Sequence, residues 1–309
     1  MPTDPGGPVP VLSVVLAVLA AAGNAAASVL QRRADAAEAT DDAGGLRLIW
    51  RLAHRRDWLG GIAALVVGFL LQAAALATGP VALVQPILVL ELAFTLLLGQ
   101  VVFRSSLHAR DWAAVVGMSA GLAGLLYALQ PEGGDPMDVP AAAWVAGIAG
   151  TIAASAAFVV IGYRSTGSRR AAFLGVATGI GFGLTAVLVA GVAAAHSRSG
   201  FSGVVASPLT YLLIVLGPGY FYLLQKTLQA GSLVASQPAL TLSNPVVAVV
   251  FGVVVFGEHV RTDGWLALAV AAAALIAVCT VVLARSPLLH GEEEAGADTG
   301  KGAPARRAS

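Results

Sequence analysis

Residues 81–103 read VALVQPILVLELAFTLLLGQVVF, and Glu91, their one ionisable side chain, sits one residue from the middle. A helix rises about 1.5 Å per residue, so a hydrocarbon core of about 30 Å takes roughly 20 apolar residues. This run is long enough to cross and is apolar all round. A β-barrel strand would instead alternate with a period of two. A helix also satisfies its own backbone hydrogen bonds, which lipid cannot do. The stretch therefore reads as a membrane span with a carboxyl group near its centre.

Eight more runs share this character. With the first they cover approximately 9–30, 58–78, 81–103, 111–129, 141–163, 171–195, 208–225, 231–257 and 264–285. The composition agrees: 57% of the 309 residues are hydrophobic and only 11% are charged, against about 25% charged in a soluble domain. A soluble core cannot absorb this much apolar surface. The abundant glycine suits helices that pack closely in lipid. The first run has small residues at Ala25–Ala27 but no Lys or Arg before it. A signal peptide wants a positive leading segment, so this helix is expected to be retained.

Basic residues set the expected orientation. Of 18 Lys and Arg, all but Arg198 and Arg261 fall on one side of the alternating spans. The positive-inside rule makes that side cytoplasmic, with the N-terminus out and the C-terminus in. The expected location is the plasma (inner) membrane, multi-pass. The stretch LRLIWRLAHRR (46–56) within loop 31–57 is basic and amphipathic. It reads as a headgroup-layer segment or as an orientation determinant. The tail 287–309 is rich in Gly, Ala, Glu and Arg and is expected to be disordered.

The chain also repeats itself. FLLQAAALATGPVALVQPILVLELAFTLLLGQVVF (69–103) aligns with YLLQKTLQAGSLVASQPALTLSNPVVAVVFGVVVF (222–256). Gln72 and Gln225, Phe103 and Phe256, and Trp112 and Trp265 share an offset of 153; Gln85-Pro86 and Gln237-Pro238 share 152. The copies run in opposite directions across the membrane, as in many secondary transporters with a midplane site. The expected fold is all-α: a polytopic membrane protein with about nine transmembrane helices in an inverted repeat of four plus five. Its parts are a tail (1–8), a first half (9–129), an external linker (130–140), a second half (141–286) and the tail (287–309). Loop 31–57 stands where a tenth span would complete the symmetry.

These repeats resemble the drug/metabolite transporter superfamily, whose EamA-type halves end an apolar run in a short "GE" before a last Gly-rich helix. Gly257-Glu258 matches that element in the second half, while Ser105 takes the place of the Glu in the first. Trp58 and Gly60, the series Gly79, Pro80, Leu83, Val84 and Pro86, and part of Tyr222–Leu228 are similar to the NIPA-like branch. The resemblance covers roughly 58–129 and 208–285. It implies transport, and for the NIPA-like branch transport of magnesium.

Glu91 is the leading site candidate. A charge at a bilayer centre costs at least about 2.5–3.5 kcal/mol on insertion scales. The group either binds a cation in a wet cavity, takes up a proton, or is hydrogen-bonded to a neighbouring helix as structural glue. As a metal ligand it would act with amide and carbonyl oxygens, since Mg²⁺ binds through one or two carboxylates and keeps waters. Its repeat counterpart is Ser243, beside Asn244. Gln237, Thr241 and Asn244 fall on one helical face, which reads as a cavity wall or a helix contact. Gln85, repeat-related to Gln237, is a candidate ligand or an interfacial hydrogen-bonding group. Asn24 is a ligand or interhelical glue. Tyr220 lines a pathway or belongs to an aromatic belt. Pro86, Pro218, Pro238 and Pro245 are expected helix breaks, since a proline frees the carbonyl four residues back. Glycines 117 and 121, and 175, 179 and 183, have close-packing spacing.

Several function classes lack their motifs. There is no Ser-His-Asp set, HExxH, P-loop or CxxC, and GIGFG (179–183) follows no strand. No basic face interleaves with aromatics, so nucleic acid is not an expected partner. One cysteine makes neither a disulfide nor a multi-Cys metal site. The expectation is a non-enzymatic secondary carrier without a cofactor. It would work by alternating access on a small solute, either a divalent cation or a small metabolite, with proton coupling and a homodimer left open. The rivals are a non-transporting membrane scaffold and a lipid-interacting membrane protein.

Overall fold

The computed structural model describes residues 11–38, 56–103, 108–230, 233–262 and 264–285. Most of the basic stretch 46–56, Ser105 and the tail 287–309 lie outside the described residues. The described chain is all-helical. Its helices are α1 (Val11–Glu38), α2 (Arg56–Thr78), α3 (Val81–Leu88), α4 (Leu90–Phe103) and α5 (Ala109–Leu129), then α6 (Ala141–Arg164), α7 (Gly167–Ala206), α8 (Pro208–Gln229), α9 (Leu233–Val254) and α10 (Trp265–Ala284).

Helices α3 and α4 together form one crossing, so the described residues contain 9 helices long and apolar enough to span a bilayer. Each falls on a run expected from the sequence. Large apolar side chains face outward in numbers no soluble protein tolerates, among them Val101 and Val254, each 75% exposed. Lipid is the solvent that makes such a surface stable.

Helix α7 is the axis of the bundle. It packs on α6, α8 and α9, and its residues between Ala171 and Ala195 are mostly buried. It runs further than its apolar segment, through His196 to Ser199, before Gly200 kinks it at φ 62° and ψ −150°. Only glycine adopts that backbone readily. By contrast, α8 is peripheral and presents Tyr211, Ile214, Val215 and Phe221 outward.

Small residues form the seams. Gly175, Gly179 and Gly183 of α7 lie so close to α9 that a methyl group at each would meet Ser236, Leu240 and Asn244 backbone respectively. Gly117 and Gly121 of α5 lie likewise against Cys279 and Ile276 of α10. Close backbone approach supplies the packing that holds helices together in lipid.

Three expected helix breaks are corrected. Pro218 lies inside the continuous α8, and Pro238 and Pro245 inside the continuous α9. Each proline removes one ladder bond, yet the bonds on either side keep the helix running. Pro86 differs. The ladder shifts to i→i−3 bonds at Val89 N to Pro86 O (3.2 Å) and Leu92 N to Val89 O (3.2 Å). That shift separates α3 from α4 directly before Glu91.

At one end of the bundle three connections converge beside α7. Thr78–Val81, Gly133–Pro136, Ala194 with Ser197 and Arg198, and Glu258 line a cavity of about 430 Å³. Ala194, Ser197 and Arg198 lie within α7, and the others lie at or between helix ends.

Candidate functional site

Glu91 stands in the first turn of α4, where the partial positive charge of a helix N-terminus favours a carboxylate. Its own backbone carbonyl accepts a bond from Thr95 Oγ1 at 2.7 Å. Its side chain is half-buried and is hydrogen-bonded to the side chain of Asn24 on α1. Asn24 is fixed in turn by α2, because Gly68 leaves room for it: a methyl group there would collide with Asn24 Oδ1. Two of the sequence candidates, 67 residues apart in the chain, thus meet between α1, α2 and α4.

Gln85, on α3, is 1% exposed, and neither its amide nitrogen nor its amide oxygen has a hydrogen-bond partner among the described residues. Asn244 Oδ1 and Ser236 Oγ on α9 are in the same condition, and α3 packs against α9. Buried polar groups are nearly always paired, so these side chains carry unspent hydrogen-bonding capacity. Ser243 uses its hydroxyl on the Ala239 carbonyl at 2.7 Å. Thr241 is half-buried, and Gln237 is exposed. Along the expected stripe, burial thus rises from Gln237 to Thr241 and Asn244. The face of α9 that meets α7 carries Ser236, Leu240, Ser243 and the Asn244 backbone.

Tyr220 is a joint between helices. It is 8% exposed, its ring fills the space above Gly181 of α7, and its hydroxyl bonds Ser155 of α6. Ser155 Oγ donates onward to Ala177 O at 3.0 Å. Nearby, Thr178 and Thr227 hydroxyls lie 2.8 Å apart and tie α7 to α8. Among the described residues no group of three or more His, Cys, Asp or Glu side chains gathers to hold a metal. The side chain beside Glu91 is the Asn24 amide.

One functional candidate lay outside the sequence-based set. Glu258 is 4% exposed, and its carboxylate accepts two backbone bonds from the first turn of α3: Val81 N to Oε1 at 2.7 Å and Ala82 N to Oε2 at 2.9 Å. Those N–H groups are helix-terminal donors without intrahelical partners. Gly257 (φ 70°) turns the chain after α9, and Glu258 N bonds back to Gly252 O at 2.9 Å. The Gly-Glu dipeptide thus has a physical reading: the glycine makes a left-handed turn, and the acid caps a helix in the other half. Its signal was already in the sequence as the "GE" element.

Burial pushes the Glu258 carboxyl up to about 7, against the opposing pull of its bonds from Ala82 and Val81. Beside it, Glu132 and His259 pair their backbones at 3.0 and 2.8 Å. Arg198 is held by Asp135 at 2.5 Å and Asp138 at 2.9 Å.

No family model matches the chain, and no solved structure matches it. The chain is similar to an uncharacterized protein of Corynebacterium glutamicum, 28% identical over 232 residues, which cover 74% of this chain and 79% of the relative.

Proposed function

We propose that this multi-pass membrane protein is a secondary carrier of a small solute, working by alternating access, with Glu91 as its exchangeable anionic group. The observation that carries the reading is the Glu91–Asn24 pair inside an otherwise apolar bundle. Such a charge is costly in lipid and marks a pathway for ions, protons or solute by default. It stands directly after the helix interruption at Val89, and interrupted spans are where carriers place their sites. The repeat in opposite orientation and the resemblance to EamA-type and NIPA-like transporters support the same reading.

The substrate is a cation or a small metabolite with a positively charged or hydrogen-bonding group. Gln85 on α3 and Asn244 on α9, two helices in contact, add amide groups with unpaired atoms. With one acid and amides, the site suits a cation that keeps part of its hydration shell. The same carboxyl exchanges a proton for solute if the two are coupled. The orientation is N-out and C-in, in the plasma membrane.

Reconstituted vesicles test this. Uptake of Mg²⁺, other divalent cations and a metabolite panel is measured with and without a pH gradient. Flux of at least one solute is expected, reduced at least tenfold by Glu91→Gln. A folded Glu91→Gln protein with undiminished flux would leave the carboxylate as interhelical glue.

A further inference from the structure

The Glu258 side chain joins residues far apart in the chain. It belongs to the turn after α9, yet it holds Val81 and Ala82, 177 and 176 positions away. The niche is built for it. A methyl group on Gly252 would collide with its carboxylate, and one on Gly134 with its Cγ. Three connections are thereby locked around one carboxyl group: the turn before α3, the 130–140 segment and the turn after α9. The backbone bridge from Glu132 to His259 and the bond from Arg261 N to Leu129 O (2.9 Å) reinforce the second and third. The first leads through eight residues of α3 to the interruption at Val89 and then to Glu91.

We propose that Glu258 is a proton-linked clamp: its side chain ties the second half of the chain to the first turn of α3, and proton exchange on that side chain sets how readily this end of the bundle opens. The role within a transport cycle rests on the carrier reading. The clamp itself does not.

The charged and titratable groups around Glu258 can be named element by element. Helix α7 brings Arg198, which is occupied by Asp135 and Asp138 of the 130–140 segment. That segment also brings Glu132, and the turn after α9 brings His259 and Arg261. The end of α2 and the start of α3 bring none. Among the described residues no cation forms an ion pair with Glu258, and the Val81 and Ala82 N–H groups hold its charge.

The sign follows from competing effects. Two N–H bonds favour the carboxylate, burial favours the acid, and burial wins. Opening would return the group to water and its ordinary affinity for protons. The closed clamp therefore binds the proton more tightly than the open one. By linkage, lowering the pH favours closure, and raising it through about 7 favours opening. Between pH 6 and pH 8 the ratio of open to closed changes roughly tenfold for one such group.

The test uses the full chain in lipid nanodiscs. Cys279→Ala removes the native thiol, and spin labels are placed at Thr78 and Thr262, both exposed and outside the clamp's contacts. Electron–electron resonance then measures the distance between them from pH 5.5 to 8.5. The longer-distance population is expected to rise roughly tenfold relative to the shorter one between pH 6 and pH 8. Glu258→Gln should abolish the response, while His259→Gln should leave its midpoint in place. A distribution unchanged with pH overturns the clamp. So does a response that survives Glu258→Gln or disappears in His259→Gln. The readout needs no solute, so a pH response in a protein without flux supports the clamp while removing the carrier reading. Flux with an unresponsive distance does the reverse.

Discussion

Asn24 on α1 and Glu91 on α4 are hydrogen-bonded inside the membrane-spanning bundle, and Gly68 of α2 leaves the room that Asn24 needs. A carboxylate paired with a neutral amide retains its charge for another partner. A carboxylate paired with Arg or Lys would not. This is why the pair reads as a site more readily than as an ion-pair strut.

The pair predicts a particular pattern of coupling. Glu91→Gln should abolish flux, and Asn24→Ala should reduce it. The double variant should be no worse than Glu91→Gln alone, because residues that act as a unit are non-additive. Equal thermal destabilisation with unchanged flux would instead identify structural glue. Initial uptake rates and melting curves of the four proteins separate the outcomes. Gly68→Ala, which pushes on Asn24 without touching Glu91, should weaken uptake in the same direction.

The glycine seams predict site-dependent stability. Gly179→Ala would press a methyl group onto the Leu240 backbone of α9, and over-packing of this kind costs about 1–3 kcal/mol. Gly150, also within a helix, has nothing within 4 Å of the corresponding position. Gly150→Ala should therefore be neutral or stabilising by up to about 1 kcal/mol, the helix-propensity gain. Denaturation in mild detergent distinguishes them, and equal effects would contradict the seam.

How far these features were legible in the sequence depends on their range. A span needs only a local run of apolar residues, so all nine crossings could be read, and the four-residue glycine spacing pointed to seams because it is a property of one helix. Glu91 and Asn24 stood out singly, but their meeting depends on how α1 and α4 pack. Gln237 shows the limit. Its spacing puts it on a face with Thr241 and Asn244, yet neighbouring helices decide how much of a face is buried, and Gln237 is exposed where the other two are half-buried. Prolines misled for a related reason: the sequence reports the missing N–H, not the bonds on either side that carry the helix through. Glu258 was visible as half of a dipeptide, but its partners lie in the other half of the chain, and no local pattern names them.

The niche around Glu258 predicts that small residues there are required. Gly252→Ala would drive a methyl group into the carboxylate and displace it from Val81 and Ala82. A buried charge left without its donors is destabilising by about 1–3 kcal/mol or more. The loss should be larger at pH 8, where the carboxyl is ionised, than at pH 5.5, where it is protonated, given its value of about 7. Melting temperatures of Gly252→Ala and the unmodified chain at the two pH values provide the comparison. A penalty that does not grow with pH would mean that the methyl group acts on the helix alone.

Arg198 supplies the contrasting case at the same end of the molecule. It too spans two connections, binding Asp135 and Asp138, but its side chain is 46% exposed and those of its partners 42% and 74%. Water solvates all three groups in either state, so the pairing gains little over hydration. Exposed pairs typically contribute about 0–1 kcal/mol and are screened by salt. Arg198→Gln should therefore lower stability by no more than about 1 kcal/mol, with the difference fading as salt is raised toward 1 M. The Gly252→Ala penalty should persist at the same salt, because the carboxylate it displaces is buried and poorly screened. Melting of both variants across a salt series at pH 8 measures this. A salt-insensitive loss of several kcal/mol in Arg198→Gln would make Arg198, rather than Glu258, the principal tie at this end of the bundle.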